Sequence, residues 1–431
     1  MSGICGLFNL DETPVAESDL RSMTAMLEQR GPERTGAWRK DFAGLGHTLL
    51  ATTPELQFER QPLEHAETGC VITADVRLDN RDELGAALEL SRPLEETGDA
   101  ELILLAYLRW GHDCVDHLLG DFAFAISDSR NRSLFCARDH FGMRPFYYHH
   151  GPGQRFVFAS DARAILVLPQ VPHEINEGRI ADFLVPEFEW YDYESTFFEG
   201  VHRLPPGHKA VVAPPGLTVT EYYRVRPGPE LGRMTDDEYR EGFVDVFKQA
   251  IDARLRGPSE TVGSMLSGGM DSGSVVAFAK EIRKTHGNGA LATFSGVRRP
   301  DEETEEEARW SETRSIYAST TMSAIDPTLV HPDEIDRWFV PLSSGFEEPF
   351  DGVFTILKAL FITAHSQGIR ALLDGGGGDV AMHEGSYLVR LLRSGRLRLA
   401  VSEIVAESRY WGHSKPLPAV LRYVRNAALP D

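Results

Sequence analysis

The stretch that most constrains this chain is Ser267-Gly268-Gly269-Met270-Asp271-Ser272. A short apolar run, Val262-Gly263-Ser264-Met265-Leu266, leads into it, and the helical pattern Ser274-Val275-Val276-Ala277-Phe278-Ala279 leads out. Strand, glycine turn and helix start in that order form an anion cradle. The glycines allow close backbone approach, the first helical N–H groups and the helix dipole attract negative charge, and the serines add hydroxyl donors. Asp271 is the odd member, because a carboxylate inside an anion site makes sense only if a divalent cation bridges it to the phosphates. A bare Ser-Gly-Gly would read as an ordinary capped turn; strand, helix and aspartate together favour a nucleotide loop.

With 431 residues the chain has room for two or three domains, and 42% hydrophobic with 25% charged residues marks it as globular. A formal net charge of -21 argues against nucleic acid or an anionic membrane as a partner. Cys5, Cys70, Cys114 and Cys136 are widely spaced, without a CxxC pair or a zinc-like histidine cluster, and read as buried thiols in a reducing compartment. No signal-peptide pattern opens the chain and no run approaches about 18 apolar residues, so a cytoplasmic location is expected.

The first half begins as a strand, Gly3-Ile4-Cys5-Gly6-Leu7-Phe8, followed by a helical stretch from Asp19 to Gln29 that ends at Arg30-Gly31-Pro32. Further strand patterns run over Gly44 to Leu50, Cys70 to Ala74, Phe122 to Ile126 and Leu134 to Asp139, with a helix over Ala100 to Trp110. Many strands with two long helices indicate a layered α/β or α+β domain. Pro and Gly clusters at 204–207, 213–216 and 227–229 place a linker at 216–235, between domains over 1–215 and 236–431. Thr235 and Glu238 then form a capping-box pattern opening a helix.

Residues 267–272 match the SGGxDS pyrophosphate loop of the ATP pyrophosphatases, which split ATP between its α and β phosphates. Gly3-Ile4 with Gly6, Arg30-Gly31-Pro32-Glu33, Gly46-His47, Gln61-Pro62-Leu63, Thr97-Gly98-Asp99, Gly120 to Ala125 and Arg138 to Tyr148 resemble, in order, the landmarks of the N-terminal glutaminase domain of asparagine synthetases. The resemblance implies an N-terminal Ntn-hydrolase-like αββα sandwich and a C-terminal parallel-sheet ATP-pyrophosphatase domain. It departs from the family where glutamine would be hydrolysed. Ser2 stands where the family has its nucleophilic cysteine after the initiator Met, and a hydroxyl needs stronger activation than a thiol. Cys5 is internal and reads as a buried, inert thiol. Thr48 replaces the arginine that would hold the substrate carboxylate, and the Asn-Gly-Glu loop becomes Thr73-Ala74-Asp75. Thr48, Asp75 and Asp99 are therefore read as remnants of a glutamine site in a domain expected to have lost hydrolysis.

In the second half, Leu291 to Val297 reads as the next parallel strand, Asp301 to Glu307 as a solvated acidic run, and Phe354 to Ser366 as an apolar helix. A strand over Ile369 to Leu373 runs into Asp374-Gly375-Gly376-Gly377-Gly378-Asp379, a second anion-and-metal loop at a strand end. It resembles the family's SGEGxDE loop, with Gly376 in place of the glutamate implicated in the ammonia step and Val380 in place of the last one. The resemblance implies ATP held by Leu266, Ser267, Gly268, Gly269, Asp271, Ser272, Ser295, Gly296, Asp374 and Gly375, and Mg²⁺ held by the catalytic pair Asp271 and Asp379.

An intact ATP loop with altered acceptor chemistry points to an amine carried by the substrate. Together with Ser2 and the 74–84 phrase, it is most similar to the lasso-peptide cyclases, which join a peptide amine to an Asp or Glu side chain. That reading implies a precursor peptide as substrate, with a leader-binding protein and a protease as partners. The alternatives are a glutamine-hydrolysing asparagine synthetase acting on aspartate, and a catalytically silent ATP- or peptide-binding homologue. Family members continue beyond the point matching Asp431, so the chain is expected to be short at its C-terminal end. No motif equates Lys415, its last lysine, with the family's catalytic lysine.

Overall fold

Strands such as Gly3–Asn9, Ala43–Leu49 and Cys70–Leu78 are buried along their whole length, on both faces, and such strands need a layer on each side. The computed structural model describes the chain apart from residues 91, 152–154, 186–191, 215, 227–233, 298–314, 331–354, 379–384, 411–416 and 429–431. The strands of the first domain are β1 (Gly3–Asn9), β2 (Arg34–Lys40), β3 (Ala43–Leu49), β4 (Leu63–His65), β5 (Cys70–Leu78), β6 (Gly120–Asp128), β7 (Ser133–Arg138), β8 (Tyr147–Gly151), β9 (Arg155–Ala159), β10 (Val201–Arg203), β11 (His208–Ala213) and β12 (Gly216–Glu221). They form two antiparallel sheets, ordered β10-β8-β9-β1-β3-β2 and β12-β11-β7-β6-β5-β4.

Alternate side chains of β1 show how the layers stack. Ile4 and Phe8 enter a core between the sheets with Leu45, Val71, Ala123, Phe156 and Phe158. Cys5 and Leu7 face outward into a second core with Leu20, Met23 and Leu27 of the α1 segment (helix Glu17–Met26). On the other side, Ile72, Ala74 and Phe124 pack against Leu102, Ile103 and Ala106 of a helix over Asp99–Trp110. Helix, sheet, sheet, helix is the αββα sandwich. Each buried Phe or Leu contributes about 1.5–3 kcal/mol to it.

The second domain winds helices around a parallel sheet. Its elements are a long helix over Asp236–Arg254, β13 (Val262–Met265), a helix over Met270–Thr285, β14 (Leu291–Gly296), β15 (Ile325–Val330), a helix over Thr355–Ser366 and β16 (Ala371–Leu373). The sheet order is β15-β14-β13-β16, all parallel, so β13 is central with its loop at the sheet's carboxyl end. Met265, Phe294 and Val330 pack on Leu360 on one face, while Leu266 and Leu291 pack on Ile251, Val276 and Ile282 on the other. Three helices, Gly385–Arg393, Leu397–Tyr410 and Leu417–Ala428, share a small core of their own. Among the described residues no helix is long and apolar enough to cross a membrane.

Strand β12, which falls within the expected linker at 216–235, pairs with β11, Val212 with Leu217 and His208 with Glu221. The Thr235 capping box forms as the sequence predicts, its hydroxyl accepting from the Glu238 amide while the Glu238 carboxylate accepts from Thr235 N at 2.7 Å. The two domains are pinned by arginines at the end of that helix. Arg254 reaches Asp79 at 3.0 Å and also pairs with Asp121, Arg256 donates to Asp99 at 2.9 Å, and Arg77 donates to the Ala253 carbonyl. A second contact joins Arg370 to Glu33 and, at 2.9 Å, to the Ala51 carbonyl.

Candidate functional site

The glycine loop leaves the central strand β13 and closes on itself before the helix begins. Gly268 has φ of 74°, a left-handed conformation that favours glycine. Ser267 N donates to the Ser272 hydroxyl at 3.1 Å, and the two hydroxyls lie 2.9 Å apart. Leu266, buried behind the loop, is bonded to β14 on both sides: its N–H donates to Phe294 O at 2.9 Å and its carbonyl accepts from the Ser295 hydroxyl at 2.6 Å. Ser295 also meets Ser319, and Ser315 donates to the Ser267 carbonyl at 2.8 Å. Ser295 thus positions the loop through its side chain. Ser315 and Ser319 carry no motif, and only their contacts disclose them.

The helix over Met270–Thr285 starts with Gly269 at its N-cap and no side-chain cap, so its first amides keep their donors for an anion. Asp271 sits in that first turn with no hydrogen-bond or ion-pair partner among the described residues. The second loop lies against it. A Cβ on Gly375 would come within 2.6 Å of Ser272 N, and one on Gly378 within 2.5 Å of the Asp271 carboxyl carbon. Asp374, exposed, turns its carboxylate back on its own loop, accepting from Gly376 N at 2.8 Å. The structure therefore brings together Leu266 to Ser272, Ser295, Asp374 and Gly375; Asp379, the expected metal partner of Asp271, lies outside the described residues. Uncapped amides beside an unpartnered hard carboxylate fit a nucleotide phosphate with Mg²⁺.

The N-terminal pocket is different. The Ser2 hydroxyl accepts from Leu50 N at 3.1 Å, and among the described residues no basic nitrogen hydrogen-bonds it. Desolvation pushes the Met1 α-amine down to about 6, against the pull of Asp75, with Arg144 and Arg30 adding to the fall. Asp75 is buried between two guanidiniums, Arg144 at 3.7 Å and Arg30 at 4.0 Å. Asp75 Oδ2, Arg30 Nη2, Arg144 Nε and His47 Nε2 are all buried without a hydrogen-bond partner among the described residues. Arg30, His47 and Arg144 belong to motifs visible in the sequence, but nothing there shows them converging on Asp75.

Thr48 offers no carboxylate clamp: its hydroxyl donates to the Leu27 carbonyl at 3.0 Å. Asp99, grouped with Thr48 and Asp75 by sequence, is engaged elsewhere. It accepts from Leu78 N at 2.9 Å, from Arg256 of the second domain at 2.9 Å and from Arg81. Cys5 lies 3.5 Å from the Thr24 hydroxyl, and burial pushes its thiol up to about 12, which leaves it inert. All four cysteines are free and buried.

Fold and site together define a class: an antiparallel αββα sandwich joined to a parallel-sheet domain with a phosphate-type loop at its carboxyl edge. Residues 1–223 match the glutamine amidotransferase domain family, and residues 242–429 match the asparagine synthase family. Asparagine synthetase 3 of Bacillus subtilis, a glutamine-hydrolyzing enzyme by name, is 30% identical over 303 residues, 68% of this chain and 48% of its own length. Asparagine synthetase 1 of the same organism is 28% identical over 300 residues, covering 68% and 45%. The amidase chry2 of Gibberella zeae is 26% identical over 399 residues, covering 88% and 57%. The chain belongs to the asparagine synthetase family and spans about half the length of the curated relatives it matches.

Proposed function

We propose that this chain is an ATP-dependent amide-forming ligase. Its second domain would adenylate a carboxylate, releasing pyrophosphate, and an amine would then displace AMP to give the amide. The observation that carries the reading is Asp271, unpartnered in the first turn of an uncapped helix and packed against the Gly375–Gly378 loop. Bound Mg²⁺, held by Asp271 and Asp379, would neutralise charge developing on the departing pyrophosphate. The protein's own part is to hold the pyrophosphate moiety against the Ser267–Ser272 amides and to keep carboxylate and amine together with water excluded.

The amine is proposed to belong to the substrate, making the product a peptide macrolactam of the lasso type. Ser2, Thr48 and Gly376 support this, as does an Asp75 flanked by Arg30 and Arg144. A glutamine-hydrolysing asparagine synthetase is the second reading, favoured by the names of the Bacillus subtilis relatives.

AMP release from Mg-ATP with aspartate and ammonium separates the two. AMP together with asparagine establishes the second reading. AMP formation only with a precursor peptide, with a product lighter by one water, establishes the first. ATP binding without AMP formation under every condition refutes both and leaves a silent homologue.

A further inference from the structure

The loop that carries Asp374 hangs from the shortest strand of its sheet. β16 has three residues, Ala371–Leu373, and lies at the sheet edge with β13 as its one neighbour among the described residues. Asp374 and four glycines follow it, with Gly377 at a left-handed φ of 82°. Glycine has the most backbone freedom to lose on ordering, so a glycine loop on an edge strand needs anchors beyond one ladder. Two come from the same domain: Arg370 N donates to Thr261 O at 2.8 Å, and the Ser264 hydroxyl donates to Leu373 O at 3.3 Å.

The remaining anchor comes from the first domain. Arg370, the residue before β16, pairs with Glu33 and donates to the Ala51 carbonyl at 2.9 Å. Glu33 closes the Arg30-Gly31-Pro32-Glu33 motif, which the ligase chemistry does not use. It is itself held by backbone: its N–H donates to Leu49 O at 3.1 Å, and its carboxylate accepts from Ala51 N at 3.3 Å. A Cβ on Gly31 would lie 2.3 Å from the Thr48 carbonyl oxygen, so the whole turn is pressed on the end of β3. Arg370 is 42% exposed, and its ion pair alone would count for little. The guanidinium meets two acceptors at once, however, and both sit on a turn already fixed.

We propose that Arg370 and Glu33 are positioning residues, a clamp through which the first domain holds the Asp374–Gly378 loop against Asp271 and Ser272. The inference rests on the ligase reading for the loop's ligand, Mg-ATP, and on the contacts themselves for the clamp. The motif then serves both domains: Arg30 faces Asp75 in the first, and Glu33 steadies a loop of the second.

Hydrogen exchange of the full chain without nucleotide tests the clamp, and calorimetric titration with Mg-ATP tests its purpose. Arg370→Gln should speed amide exchange over 370–378 about tenfold, the worth of a charge-assisted hydrogen bond, and weaken Mg-ATP binding by a similar factor. Exchange in β5 and the melting temperature should stay unchanged. Glu33→Ala, made in the other domain, should reproduce both effects, and Arg370→Lys, which keeps a cation near Glu33 and the Ala51 carbonyl, should largely restore both. Unchanged exchange in Arg370→Gln, loosening spread over the whole second domain, no rescue by lysine, or faster exchange with Mg-ATP binding intact would each overturn the proposal. A natural chain that binds no Mg-ATP refutes the ligase reading and the clamp's purpose with it, while exchange still decides whether the first domain holds the loop.

Discussion

The two candidate sites of this chain face opposite fates. In the second domain the groups aimed at a ligand are left unmet: helix-start amides without a cap and an Asp271 carboxylate without a partner among the described residues. In the first domain the charges compensate one another without hydrogen-bonding, with Asp75 set 3.7 Å from Arg144 and 4.0 Å from Arg30, and the Ser2 hydroxyl is taken by a backbone amide. A site built from backbone amides persists while its glycines persist, because no side chain can substitute for the close approach. A site built from charged side chains is readily silenced, since an added charge of opposite sign closes it from within.

The sharpest break of this comparison is Asp271→Asn. AMP formation should fall by about 10²–10³-fold, the scale of removing one preorganised electrostatic group, with the folded state unchanged by circular dichroism. Full activity would remove the metal role from this carboxylate.

Gly378→Ala probes the same contact from the other loop. Its Cβ would press within 2.5 Å of the Asp271 carboxyl carbon, and an about tenfold loss of AMP formation with little change in melting temperature is expected. Unaltered turnover would show that the loops need not touch.

His47 offers a pH test of the closed pocket. Burial pushes its imidazole down to about 4 from 6.5, Asp75 offsetting part of the fall. Since the folded value is depressed, protonation is harder in the fold than in the unfolded chain. The histidine's contribution to stability is complete above pH 6.5 and is lost as the pH falls from 6.5 toward 4, by on the order of 2–3 kcal/mol. The difference in urea-unfolding free energy between the natural chain and His47→Leu should shrink by that amount across the window; a pH-independent difference would mean that the ring is solvated.

The smallest effect is expected from Ser2→Ala. Glutamate release from glutamine should sit at the blank in both proteins, and AMP formation should agree within about twofold. Glutamine turnover that vanishes in the variant would reopen the N-terminal site.

How far the sequence reaches can be judged from particular elements. Strands β1, β3, β5 and β6, the helix from Asp99 and both glycine loops were legible because their signals are local, in alternation, capping and glycine at a fixed offset. The short strands β8 to β12 were not, and Gly216–Glu221 read as the start of a linker although it pairs with His208–Ala213. Proline and glycine mark a turn without saying whether its flanks will pair.

The sequence by itself determined the two-domain class, the phosphate-type loop and the departures at Ser2, Thr48 and Gly376, since each depends on which residue stands at one place. The tertiary structure alone decided that Arg30 and Arg144 meet on Asp75, that Arg256 crosses the boundary to Asp99, and that glycines 375 and 378 lie against Asp271. These pairs are separated by tens to hundreds of residues. Charge and hydrogen bonding act over a few ångströms of space, and only the folded chain says which distant residues those ångströms contain.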